Sequence, residues 1–167
     1  MPRDPKPAPV AAAGAPSPVD LLTHRLHVLS KLTDRLSDAR CQAEVGLPLG
    51  EARCLAVVGS MQPLSVNQLA QQVSLDKAQA SRAAQSLSDQ GLLRKLPAAH
   101  DARGVELKLT TRGRYRWRKL MAVIEQGNEQ LFSVLPPDDR DRLAQALEQL
   151  IQHARRQCAE AAMLAGR

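Results

Sequence analysis

From Leu22 the large apolar positions recur in steps of three and four, at Leu22, Leu26, Leu29, Leu32, Leu36 and Ala39. This is the spacing of a helix with a coiled-coil-like seam. Ser17 as N-cap, Pro18 in the first helical position and Asp20 in a capping-box-like place predict its start, and Gly46 with Pro48 its end. A shorter helix over 49–60 follows, with Leu49, Cys54, Leu55 and Val58 inward. The next begins at Ser65 and turns Val66, Leu69, Ala70 and Val73 inward. After the tight connection Ser74–Leu75–Asp76, the stretch "DKAQASRAAQSLSDQGLLRK" (76–95) forms another helix, closed by Gly91. The period then falls to two: 92–96 and 105–109 read as the strands of a hairpin with the loop "PAAHDARG" between them. Thr110 or Thr111 caps a long helix over 112–134 with Leu120, Val123, Ile124, Gly127 and Leu131 on its inner side. "LPPDD" breaks it, and a last helix over 138–162 carries Leu143, Leu147, Leu150, Ala154 and Cys158 in a stripe.

The helix over 76–90 has alanine where a core-facing helix normally has Leu or Ile. Small inner residues give up burial energy but let one helix backbone lie close to another. Ala80, Ala83, Ala84 and Leu87 form the packed face, and Gln79, Ser81, Arg82 and Gln85 the exposed one. Two short helices with a tight turn and then a hairpin are the layout of a winged helix-turn-helix. In that layout the polar outer face of the second helix enters the major groove of DNA. Gln and Ser read base edges or phosphates, and Arg82 bonds bidentately to guanine or clamps a phosphate.

Charge sharpens this picture. The chain carries a net +6, yet residues 77–119 hold 11 Lys and Arg against 3 Asp and Glu, an excess of 11 − 3 = +8. A concentrated basic block suits a polyanion. With one Trp, one Tyr and one Phe, the chain lacks the rings that a base-stacking platform for single strands requires. The basic row Arg112, Arg114, Arg116, Arg118 and Lys119 does not share a face, because a step of two turns about 200° on a helix. One or two of these reach phosphates and the rest are solvated or paired.

The motifs L-A at 69–70, D-K at 76–77, S-R at 81–82, L-x-x-x-G-L at 87–92, D-x-R at 101–103 and L-T-x-x-G at 109–113 stand in order over residues 69–113. In this ordered set the sequence resembles the MarR family of bacterial transcriptional regulators. The resemblance implies a mainly α fold with a small β-hairpin: a winged helix-turn-helix over 47–119, with N- and C-terminal dimerisation helices over 17–45 and 120–162. It also implies a homodimer straddling a pseudo-palindromic site in double-stranded DNA. The expected DNA contacts are Lys77, Gln79, Ser81, Arg82, Gln85, Asp101, Arg103 and Arg112. Asp101 can pair with Arg103 and aim it into a narrow minor groove. The family pattern there is often D-R-R, and Ala102 takes the middle place.

Family members often bind small aromatic acids between the dimer helices and the winged domain. His24, Arg25, His27 and Arg53 are the residues expected to meet the carboxylate of such an effector. As a whole the string resembles regulators of nicotinate catabolism (the NicR/BpsR type), which implies a hydroxylated pyridine carboxylate. Cys54 and Cys158 fall on apolar stripes and read as core, whereas Cys41, beside Arg40, is the candidate for a redox-sensing thiol. His24 and His27 lack a third metal ligand, so no metal or cofactor is expected.

Residues 1–16, rich in Pro and Ala, read as a disordered arm. Without a secretory leader or an apolar span of about 20 residues, the chain reads as cytoplasmic and away from membranes. No nucleophile elbow, phosphate-cradling loop or carboxylate pair points to an enzyme. The leading reading is a repressor released by a small aromatic acid. The alternatives are a thiol-based redox regulator and a non-specific DNA-coating protein.

Overall fold

The computed structural model describes residues 17–98 and 101–165, with side chains outside positions 98 and 101–104. Its elements are α1 (Leu22–Arg40), α2 (Leu49–Met61), β1 (Leu64–Ser65), α3 (Val66–Val73), α4 (Lys77–Asp89), β2 (Leu93–Ala98), β3 (Asp101–Leu109), α5 (Thr111–Phe132) and α6 (Pro137–Ala165). The arm expected over 1–16 lies outside the described residues.

Local chemistry sets most boundaries. Ser65 and Asp76 cap α3 and α4, each in a capping box with the glutamine three residues on, Gln68 and Gln79. The Thr110 hydroxyl accepts from Gly113 N at 2.9 Å to start α5 and donates to Gly91 O at 2.7 Å. At the start of the chain the expectation fails: Ser17 makes no side-chain cap, Pro18–Asp20 form a single 3-10 turn, and α1 begins at Leu22. At its far end α1 runs into a widened turn over Cys41–Val45 that stops at Gly46, in the left-handed region at φ 69°. Asp38 reaches past this turn and accepts from Leu49 N at 2.9 Å, which caps α2 from a distance.

The sheet has three antiparallel strands in the order β1-β3-β2. β1, not foreseen from the sequence, pairs Leu64 with Leu107. Leu64, Leu93, Leu107 and Leu109 close over α2, α3 and α4, joining Leu55, Val58, Leu69, Leu87 and Leu120 in one core. The core also holds Ala84, and Ala80 is fully buried beside it. At Gly113 the first turn of α5 presses against Leu92: a Cβ there would lie 1.9 Å from the Leu92 carbonyl oxygen.

Packing is uneven. Among the described residues α1 and α6 bury no side chain fully. Leu22, Leu26, Leu29, Leu32 and Leu36 of α1 are exposed, as are Leu150, Ile151, Met163 and Leu164 of α6. Cys158, expected in the core, is exposed for the same reason: its stripe is apolar, but none of the described residues covers it.

The Gly113 contact is with backbone, which cannot rotate away. Gly113→Ala is therefore expected to cost about 1–3 kcal/mol of folding free energy, read from thermal or urea unfolding. An unchanged midpoint would contradict the close approach.

Candidate nucleic-acid interface

The site is built on α4. Ala80, Ala84 and Leu87 are buried against α2, α3 and the sheet, while Lys77, Ala78, Gln79, Ser81, Arg82 and Gln85 are exposed. The outward face therefore carries short, amide and cationic groups on a helix whose buried back is alanine except at Leu87.

Not all of these groups are equally free. The Gln79 amide folds back towards the helix start and accepts from Asp76 N at 3.4 Å, while Asp76 accepts from Gln79 N at 2.7 Å. Gln85 donates to Asp89 at 2.6 Å and accepts from Lys95 of β2, so its amide ties α4 to the wing base. Two of the expected readers thus have structural partners in the free chain. Arg82 is in none of the ion pairs. Among the described residues these are Arg53–Asp34, Arg140–Glu129 and Arg142–Asp139, and none uses a cation between 77 and 119.

The wing adds positive charge. Arg94 of β2 stands directly opposite Lys108 of β3, in a register that places both on the face away from the core. Like charges in a facing pair are unfavourable unless a polyanion lies nearby. This pair was not singled out from the sequence, although the alternation of 105–109 would have located Lys108. The side chains of Asp101 and Arg103, the expected minor-groove contacts, lie outside the described residues, as does His100. In the basic row Arg112 is exposed at the start of α5, and Arg114 bonds to the Thr111 hydroxyl at 2.9 Å. Arg116 turns inward and donates to the Val45 carbonyl oxygen, so it closes the end of the widened turn instead of facing outward. Trp117 lies on Gly59 and donates to Ala56 O at 3.2 Å.

The residues expected to hold an effector do not converge. His24, Arg25 and His27 are exposed along α1. Arg53 is ion-paired with Asp34 and so fastens α2 to α1. A cavity of about 410 Å³ opens instead between α1 and α5. Leu36, Arg40 and Cys41 line one side and Val123, Ile124 and Leu131 the other. Arg40 crosses it to Gln130, and Gly127 leaves room for the guanidinium. His24, Arg25, His27 and Arg53 do not line it.

Cys41 does not have the surroundings of a sensor. It is buried, and burial first, then Asp38 and Glu44, push its thiol above the ordinary range. Cys54 is pushed up to about 11 by burial and by Glu51. A reactive thiol needs exposure and a lowered pKa, and Cys41 has neither in this structure. Among the described residues no cluster of three or more His, Cys, Asp or Glu could hold a metal, and no helix is long and apolar enough to cross a membrane.

Residues 45–104 match the model of the MarR family. Solved structures share the fold. A MarR/EmrR family transcriptional regulator from Acinetobacter sp. ADP1 superposes with a TM-score of 0.74 at 21% identity, over 80% of this chain and 94% of that one. The Staphylococcus aureus MepR–DNA complex gives 0.71 at 16% identity, over 80% and 98%. A Mycobacterium tuberculosis MarR family protein in complex with p-aminosalicylic acid gives 0.65 at 22%, over 78% and 98%. A search of curated proteins finds no significant match. Over residues 45–104 the chain is thus similar to the MarR family, as the ordered motifs imply, and it shares the fold of solved MarR-family transcriptional regulators.

Both buried thiols favour the protonated form. A thiol reagent at neutral pH should leave Cys41 and Cys54 unmodified until the chain unfolds. Folding stability should also fall as pH rises from about 9 towards 11, because the unfolded chain releases these protons first. Rapid labelling of Cys41 in the folded protein would restore the redox reading.

Proposed function

We propose that this chain is a homodimeric, sequence-specific DNA-binding repressor released by a small aromatic acid. The observation that carries this reading is α4: an alanine-backed helix that presents Arg82, outside every ion pair described, beside a wing whose Arg94 and Lys108 face each other.

Arg82 supplies bidentate contact to a guanine edge or a phosphate. Lys77 and Ser81 anchor the start of α4 to the backbone, and Arg112 does so beside the wing. Asp101 and Arg103, in the wing, are the proposed contacts to the minor groove. That MepR, with the same fold, forms a DNA complex supports this assignment.

The second copy is needed because α1 and α6 leave their apolar stripes uncovered. Among the described residues α6 meets α5 only near Arg140, Leu143 and Leu147, and most helical stability in a protein comes from packing of the apolar face. A twin chain laying its own α1 and α6 against them would bury those leucines and set two α4 helices on one face of a duplex.

The cavity between α1 and α5 has the volume for one substituted ring and offers Arg40 as the carboxylate partner. The p-aminosalicylic acid complex of the M. tuberculosis protein favours an aromatic acid. An acid that binds the non-DNA arrangement better lowers DNA affinity by population shift.

The test is fluorescence anisotropy on the duplex upstream of the protein's own gene, against a scrambled duplex, across a salt series. The upstream duplex should bind about 10³-fold tighter, and Arg82→Ala should weaken it by about 1–3 kcal/mol. Aromatic acids, hydroxynicotinates first, should release it. Equal affinity for both duplexes with a steep salt slope would favour a coating protein, and an unchanged Arg82→Ala affinity would overturn the orientation of α4.

A further inference from the structure

The alanine back of α4 creates a problem that the apolar core does not solve. Apolar contact is non-directional, and Ala80 and Ala84 give small, smooth surfaces that resist rotation weakly. A roll of roughly 15° carries a group at the helix rim, about 6 Å from the axis, by roughly 1.5 Å. That is enough to break a bidentate contact, whose geometry is narrow.

Glu51, in the first turn of α2, supplies direction. Its Oε1 accepts from the Ser86 hydroxyl at 2.7 Å, and its Oε2 accepts from the Gln90 amide at 2.8 Å. Gln90 also donates to Ser86 at 3.2 Å, closing a three-residue network. Ser86 is on α4 and Gln90 caps its end one turn on, and Ser86 lies one turn beyond Arg82 and only about 40° around the axis. A carboxylate at the start of α2 would be favourable there without any partner. Using both oxygens on a second helix is a separate feature.

We infer that Glu51 is a positioning residue that fixes the roll of α4, and through it the aim of Arg82. The inference rests on the DNA-binding reading above. Sequence specificity then depends on a residue that does not itself face the duplex.

The experiment uses the full chain and the same two duplexes, the upstream and the scrambled one, with Glu51→Ala and Glu51→Gln. Glu51→Ala should lower the ratio of specific to non-specific affinity by about tenfold while leaving scrambled-DNA affinity and its salt slope in place. The amide introduced by Glu51→Gln accepts from Ser86 and, once Gln90 flips, donates to it, so this variant should recover most of the ratio. If Glu51 acted only as a negative charge, both variants would tighten binding to both duplexes alike. If it acted only in folding, both affinities would fall in step. Either pattern overturns the proposal. Should Glu51→Ala not fold, Ser86→Ala removes one arm of the network and should lower the same ratio, and no loss there would overturn the proposal too. A wild-type chain that does not distinguish the duplexes would remove the DNA-binding reading and the inference with it.

Discussion

Much of this structure depends on how closely α4 lies to α2 and α3. Ala80 and Ala84 are fully buried where leucines would normally sit, so α4 can be pressed onto a small scaffold with Ser81 and Arg82 on its exposed face. The cost is a weak apolar grip, since each alanine contributes only a fraction of the burial energy of a leucine. Polar devices around α4 compensate: the Asp76–Gln79 capping box, the Glu51–Ser86–Gln90 network and the link from Gln85 to Lys95. Each is directional, and together they fix start, roll and wing contact.

A second constraint is imposed by what the chain leaves uncovered. The winged domain and the start of α5 close one core, with leucines of four helices and three strands buried among one another. α1 and α6 do not, and Leu22 and Leu164 are each 73% exposed. Arg53 to Asp34, Arg40 to Gln130 and Asp38 to Leu49 N tie α1 to the rest by polar bonds. Its apolar stripe remains for another surface. The cavity beside Arg40 lies along this seam between α1 and α5, where a small molecule would act on both helices.

Much of this was legible in the sequence because it is periodic. The three-and-four spacing placed the helices to within a few residues, and alternation found Leu107 and Leu109 on the inner side of the wing. What was missed has no period. A two-residue strand such as Leu64–Ser65 leaves no pattern, and the partners of Glu51 are 35 and 39 residues away. Periodicity identified the stripe holding Cys158 but not whether the same chain covers it. Gln79 and Gln85 look like free readers from their helical positions; only the fold shows that capping and the wing engage them. Arg116 reads as one more cation in a basic row, and the turn it closes at Val45 is 71 positions distant.

In the proposed dimer two copies of α4, held by paired α1 and α6 helices, read one duplex together. Selection by the full chain from a pool of random-sequence duplexes tests it most directly. Enrichment is expected for an inverted repeat whose half-site centres are about one helical turn of DNA, roughly 10 base pairs, apart or a multiple of that. Recovery of a single unrepeated half-site, or of no sequence above background, would contradict it.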